Sequence, residues 1–169
     1  LIVAIPTILG LSVPLFPVLL HAVRLPAALS DKKGLLTMAW DTVWLFLTIC
    51  IVCVRDGSME ELRGGLTVAA VYMLGVWLVF GLARYAKLNR FKKAGCIAAV
   101  CGLWTAFGQD ICNWLLGEGI RLTICSADFS SWNTDLQINA NVYLIVLIGS
   151  LVLGGFLFVA GLIKERKRG

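Results

Sequence analysis

Five apolar stretches, each long enough to cross a membrane, dominate this chain of 169 residues. They cover residues 1–23, 35–54, 66–83, 94–116 and 140–163. A helix rises about 1.5 Å per residue, so each stretch can span a hydrocarbon core of about 30 Å. Hydrophobic residues make up 59% of the chain, more than a soluble domain of this size can bury. The pattern predicts an all-α, polytopic transmembrane bundle of about five spans in a single integral-membrane domain.

The segments between the apolar stretches alternate in charge. Residues 24–34, 84–93 and 164–169 are basic, whereas residues 55–65 and 117–139 hold more acidic than basic side chains. Because basic loops stay on the cytoplasmic side, the basic segments are predicted to be two cytoplasmic loops and a cytoplasmic C-terminal tail. The other two segments are predicted to be outer loops, and the first stretch then starts outside. A bacterial inner membrane is the base-rate expectation for the location.

The net charge of +5 comes mainly from these basic segments. The basic side chains lie at predicted helix ends, where they anchor the topology and contact lipid headgroups. No basic patch is interleaved with aromatic residues in the way that single-strand nucleic-acid binding requires. The expected partners are therefore the lipid bilayer and other membrane subunits, with no nucleic acid.

The first stretch differs from the others because all four prolines lie in it or just after it, at Pro6, Pro14, Pro17 and Pro26. Each interior proline removes a backbone hydrogen bond and bends or breaks a helix. In lipid the freed carbonyl groups need partners from neighbouring helices or water. Residues 1–23 are therefore predicted to form a proline-kinked span or a re-entrant segment. A broken helix that lines a pathway is the alternative.

Two further patterns concern packing. Residues 117–139 are too polar to enter lipid and too few to form a domain, so they are predicted to form a cap loop between the last two spans. The last stretch holds Ser150, Gly154, Gly155 and Gly161. Small residues at such spacings let helix backbones approach closely, which favours a packed face on this helix.

The fourth stretch carries a polar face. Cys101, Thr105, Gln109 and Asn113 recur at intervals of four and share one side of a helix, with Asp110 beside them. Polar groups inside a span are costly and usually face protein or water. One interpretation is hydrogen bonding that holds helices or subunits together. The other is a proton or ligand contact at Asp110.

Six cysteines are many for this length. The charge topology places Cys50, Cys53, Cys112 and Cys125 toward the outer side, which is oxidising if the membrane is a bacterial inner membrane. A disulfide between Cys112 and Cys125 would tie the cap to its helix and stabilise the protein by about 3 kcal/mol. The alternative is that these residues act as small, buried apolar side chains.

The run Cys50-Ile51-Val52-Cys53 at the end of an outgoing helix is followed by a return helix, a basic turn, a second cysteine pair and a basic tail. This layout, over residues 35–169, resembles the bacterial quinone-coupled disulfide oxidases. The resemblance implies catalytic cysteines, with Cys50 and Cys53 next to a quinone and Cys112 and Cys125 as the shuttle pair. It also makes Arg55 a stand-in for the arginine that follows the family's first pair. In that family the first pair opens a helix, whereas here it ends one, where the helix dipole disfavours a thiolate.

No other residues form a recognisable catalytic set. His21 is the only histidine and has no cluster of cysteines or carboxylates around it, so no metal site is expected. The interpretation that we favour is a small subunit of a larger inner-membrane complex for transport, secretion or respiration. Such a subunit has a structural, helix-packing role and neither catalytic residues nor a cofactor. The alternatives are a thiol-disulfide oxidoreductase that uses a quinone, and a small stand-alone transporter or channel.

Overall fold

Four long helices make up most of the computed structural model, which describes residues 32–56 and 59–167. They are α1 (Lys33–Asp56), α2 (Met59–Tyr85), α3 (Arg90–Leu116) and α4 (Asp135–Arg166), with a short 3₁₀ helix at Thr123–Ser126. The described residues contain no β-strand. All four helices are long and apolar enough to cross a membrane. The prediction of an all-helical protein with transmembrane helices is confirmed, and the four helices indicate an integral membrane protein.

The first predicted span lies outside the described residues. Its prolines and His21 therefore also lie outside the described residues. The four described helices correspond to the other four apolar stretches, and the prediction of a fifth, kinked or re-entrant span stays a prediction.

The helices extend beyond the apolar stretches that predicted them. α2 begins at Met59 rather than at 66, and α4 begins at Asp135 rather than at 140. Their first turns contain Glu60 and Glu61 in α2 and Asp135 in α4, and acidic side chains favour a helix N-terminus. The predicted loops 55–65 and 117–139 are therefore shorter than expected. Hydropathy marks the apolar part of each helix, whereas these helices continue beyond that part.

Both ends of α3 carry clear capping residues. At its start, the Asn89 side chain accepts a hydrogen bond of 2.8 Å from the backbone N–H of Lys92. At its end, Gly117 adopts a left-handed conformation with φ of 91°, and its N–H bonds back to Asn113 and Trp114. A residue without a Cβ adopts this conformation at little cost, which ends the helix sharply.

The chain divides into two compact units, residues 1–69 and 70–169. In the described part of the first unit, a glycine of α2 lies against α1. A Cβ on Gly65 would be 3.1 Å from the Ile49 side chain and 3.9 Å from the Cys53 sulfur. Three threonine hydroxyls in α1 donate to carbonyl oxygens four residues earlier, which satisfies them within the helix.

In the second unit, α3 and α4 pack antiparallel through a seam of small residues. A Cβ on Gly95 would lie 2.5 Å from the Gly154 carbonyl oxygen, so the two backbones are in direct contact. Farther along, Gly102 faces Ser150, and in the other direction Gly161 lies against Asn89 and Lys92. Three of the four small residues singled out in the last stretch therefore lie on this seam, whereas Gly155 faces open space.

Trp104 of α3 packs against the remainder of α2. The Trp104 indole N–H donates to the Val71 carbonyl oxygen over 3.0 Å. The indole ring covers Gly75, where a Cβ would lie 2.6 Å from ring atoms. Since buried tryptophan N–H groups need an acceptor, this bond fixes the ring against α2.

Replacing Gly154 with alanine is expected to destabilise the protein by about 1–3 kcal/mol, because its new Cβ would lie 2.8 Å from the Gly95 carbonyl oxygen. Gly155→Ala is the matched control, since nothing lies within 4 Å of a Cβ there. Thermal unfolding of both variants in detergent checks the expectation. Equal melting temperatures would contradict the seam.

Candidate functional site

The polar face predicted on the fourth stretch lies on the exposed side of α3. Thr105 and Gln109 are exposed, as is Cys101, and Asn113 is half-buried. Gln109 Nε2 donates to Asn113 Oδ1 over 2.9 Å, and the Thr105 hydroxyl donates to the Cys101 carbonyl oxygen over 2.9 Å. The side of α3 that packs in the second unit is a different one, formed by Gly95, Gly102, Ala106, Gly108, Asp110 and Cys112.

The depth of the polar face follows from helix geometry. The last lysine at the start of α3 is Lys93, and about 20 helical residues cross a hydrocarbon core of about 30 Å. On that scale Asn113 reaches the far edge of the core and Gln109 lies about 6 Å inside it. The described residues supply no further hydrogen bond to Gln109 Oε1 or Asn113 Nδ2. An exposed amide at this depth is costly in lipid. We therefore expect another polar group to contact this face.

An apolar groove between α2 and α3 adjoins this polar face. It has a volume of about 340 Å³. Its lining residues are Tyr72, Gly75, Val76, Val79, Val100, Cys101, Trp104 and Thr105. Two of them, Cys101 and Thr105, also belong to the polar face. The exposed side of α3 therefore combines a groove for apolar side chains with a row of hydrogen-bonding groups.

Asp110 does not share the exposed face. It is 6% exposed and accepts hydrogen bonds of 3.1 and 3.2 Å from the backbone N–H of Thr123, and another from the Thr123 hydroxyl. These bonds attach the 3₁₀ helix to α3. Of the two interpretations of Asp110, this geometry favours a structural contact, because the carboxylate is occupied by the cap loop.

Asn141 in α4 is the counterpart of Asp110 and was not singled out from the sequence. It is fully buried and accepts a 2.7 Å hydrogen bond from the Asp128 backbone N–H. It also donates to the carbonyl oxygens of Asp128 and Ser131, over 2.8 and 3.1 Å. Residues 117–134 thus form a cap that is tied to both helices. A lone amide within an apolar stretch was the signal that could have found Asn141.

A second polar position lies in the first unit. Asp41 in α1 stands between Trp40 and Trp44, whose ring centroids are 5.2 Å apart. Asp41 Oδ1 is buried without a hydrogen-bond partner among the described residues. An ionisable side chain within a span is a functional candidate by default. Of the two carboxylates, Asp41 is therefore the one with an unoccupied oxygen in the described part of the chain, whereas Asp110 is bonded to Thr123.

The six cysteines all lie in described residues and all are free thiols. Cys50 and Cys53 occupy the last two turns of α1 and are half-buried, Cys112 is fully buried, and Cys125 is exposed. The structure does not join Cys112 to Cys125, so that disulfide stays a prediction. A shuttle cysteine has to be reached by an attacking thiolate. Cys112 is buried, so a thiolate cannot reach its sulfur.

Neither a metal-binding group nor a similar known protein indicates a function for this chain. No group of three His, Cys, Asp or Glu side chains in residues 32–56 and 59–167 is placed to hold a metal ion. Comparisons with protein-family models, curated proteins and solved structures find no significant match for this chain.

Asn141→Leu is expected to loosen the cap and to cost about 1–3 kcal/mol, because three hydrogen bonds are lost and their backbone partners are left unpaired. Amide hydrogen exchange should accelerate in residues 117–134. Asn139→Leu, at an exposed position in the same helix turn, is the control and should leave exchange unchanged. Equal exchange in both variants would refute the role of Asn141.

The stability of the cap should depend on pH through the carboxyl group of Asp128. Hydrogen bonds from the Ser130 hydroxyl and backbone N–H lower the pKa of this carboxyl below its ordinary value of 3.8. The stability contributed by Asp128 is therefore present above pH 3.8 and is lost as the pH falls through the lower folded pKa. Titration of the Asp128 carboxyl by NMR should show this lowered pKa. Ser130→Ala should return it toward the ordinary value, and an unchanged pKa in that variant would disprove the cause.

Proposed function

We propose that this chain is a small subunit of a larger membrane complex, in which α3 binds a transmembrane helix of another subunit. The observation that carries the proposal is the exposed polar face of α3, with Gln109 about 6 Å inside the expected hydrocarbon core. Lipid chains offer no hydrogen bonds to an amide, whereas a neighbouring helix does. The adjoining groove of about 340 Å³ gives apolar side chains of that helix a place to pack.

The partner helix can be described by its chemistry. It should present an amide or hydroxyl side chain opposite Gln109 and Asn113, because each still has one hydrogen-bonding atom to satisfy. It should also present small residues and one or two apolar side chains toward the groove. Interhelical hydrogen bonds of this kind contribute about 1 kcal/mol each in membranes, so packing supplies the rest of the affinity.

The other side of α3 makes this a preformed binding surface. The seam with α4 holds α3 from Lys92 to Gly102, and Asp110 and Asn141 fix the cap at the far end of the pair. A helix that is held in this way loses little conformational freedom on binding.

The membrane and its sidedness belong to the proposal. The basic start of α3 and the basic end of α4 lie side by side, since Lys92 forms an ion pair with Glu165. Two basic helix ends at the same end of the pair support a cytoplasmic location for both and for the C-terminus. We propose the bacterial inner membrane and a role in transport, secretion or respiration.

The burial of Cys112 and the occupation of Asp110 by Thr123 favour this subunit over the two alternatives. A quinone-coupled thiol-disulfide oxidoreductase needs accessible cysteines, and a stand-alone transporter that uses Asp110 needs a carboxylate open to its substrate. Neither alternative makes use of Gln109 and Asn113 on the polar face of α3.

A photo-cross-linking amino acid in place of Gln109 tests the proposal in native membranes. We expect a cross-linked product with another protein, identifiable by mass spectrometry. The matched control is the same group at Val152, which is 68% exposed on α4. Cross-links from position 109 to lipid alone, or only to residues 1–31 of the same chain, would sink the proposal.

Replacing both amides by leucine should release the partner. In mild detergent the Gln109→Leu/Asn113→Leu variant is expected to lose at least about tenfold of the co-purifying subunit, as two hydrogen-bonding groups are removed. Asn139→Leu should retain it. Size-exclusion chromatography and circular dichroism establish that the variant still folds, and a full-size complex in the double variant would refute the role of the polar face.

A further inference from the structure

A cavity of about 470 Å³ opens at the basic end of the α3/α4 pair, away from the cap. Its lining residues are Leu88, Asn89, Arg90, Phe91, Lys164 and Glu165. They come from the connection between α2 and α3, from the first turn of α3 and from the last turns of α4. This volume lies in the range of sites that bind small molecules and headgroups.

The charge of the cavity is decided by which side chains already have partners. Glu165 is paired on both oxygens, since Oε1 accepts a 2.9 Å hydrogen bond from Asn89 and Oε2 forms an ion pair with Lys92. Lys164 lies over the Phe91 ring, with its Nζ 4.8 Å from the centroid. Arg90 has no ion pair among the described residues. Arg90 and Lys164 therefore line the cavity as two cations that have no acidic partner in the described part of the chain.

The walls of the cavity are held in place by Asn89. Its Nδ2 donates to the Gly161 carbonyl oxygen over 2.7 Å, while its Oδ1 caps α3. Gly161 permits this because a Cβ there would lie 2.8 Å from Asn89 Oδ1. The spacing between the start of α3 and the end of α4 is thereby set before any ligand arrives.

We propose that this cavity binds a phosphate group, and specifically the phosphodiester of an anionic phospholipid headgroup. The planar guanidinium of Arg90 can hold two phosphate oxygens, and Lys164 adds a second positive charge. Leu88 and Phe91 are exposed apolar side chains at the same site, suited to the glycerol and upper acyl chain. The cavity lies at the end of two membrane-spanning helices, which is where headgroups are found.

Native mass spectrometry of the purified protein with phosphatidylglycerol, phosphatidylcholine or inorganic phosphate tests the site. We expect retained phosphatidylglycerol and little phosphatidylcholine, whose choline group repels the cations. Each removed cation should weaken phosphatidylglycerol binding about fivefold, so Arg90→Gln/Lys164→Gln should weaken it about 25-fold. Arg166→Gln is the control, since Arg166 lies in the same last turn without lining the cavity.

The outcomes separate the sources of the phosphate. Phosphatidylglycerol binding that depends on Arg90 and Lys164, with no effect of millimolar inorganic phosphate, supports the lipid site. Competition by inorganic phosphate would contradict the phospholipid headgroup as the ligand and would assign the site to a free phosphate. Equal binding by the double variant and by Arg166→Gln would overturn the site altogether, and circular dichroism establishes that both variants are folded.

Discussion

The backbone contact between Gly95 and Gly154 is the constraint on which the rest of the second unit depends. Within a membrane, apolar side chains gain little by leaving lipid for protein, so helices associate through close packing and polar contacts. A Cβ at either glycine would come within 3 Å of a carbonyl oxygen of the other helix. The contact therefore exists only because both side chains are hydrogen atoms, and it sets the distance between α3 and α4.

The contacts at both ends of the α3/α4 pair depend on this distance between the helices. At one end, Asn89 reaches the Gly161 carbonyl oxygen and forms a wall of the basic cavity. At the other, Asp110 binds Thr123 and Asn141 binds Asp128 of the cap. In the described part of residues 70–169, no buried side-chain polar atom lacks a hydrogen bond. The amides that remain incompletely bonded are Gln109, which is exposed, and Asn113, which is half-buried beside it.

Sequence patterns predicted the helices well and the contacts between them poorly. Hydropathy located all four described helices because burying apolar residues in lipid needs only length and composition. It missed their ends, since polar first turns such as that of α4 continue the helix into water. Neighbouring glycines illustrate the same limit. Gly154 and Gly155 are alike in sequence, and only the rotation of α4 shows that Gly154 lies on the seam.

For the candidate site, too, the sequence predicted some features and missed others. The spacing of four placed Thr105, Gln109 and Asn113 on one face, because that face is a property of a single helix. Asp110 and Asn141 could not be paired with the cap in advance, since their partners lie 13 positions away in an irregular loop. Local periodicity determines which residues share a surface, whereas the loop conformation determines what a buried carboxylate binds.

The two faces of α3 imply an order of assembly. The glycine face of α3 packs at the closest range against α4 between Val146 and Gly161. The hairpin of α3 and α4 is therefore complete within the chain, with the cap bound at one end. The amide face keeps hydrogen-bonding atoms unused after that hairpin is complete. A membrane protein whose internal packing leaves polar groups on the outside at membrane depth has an energetic reason to bind another helix. On this physical ground, the proposed partner helix would stabilise the folded hairpin in lipid by covering these amides.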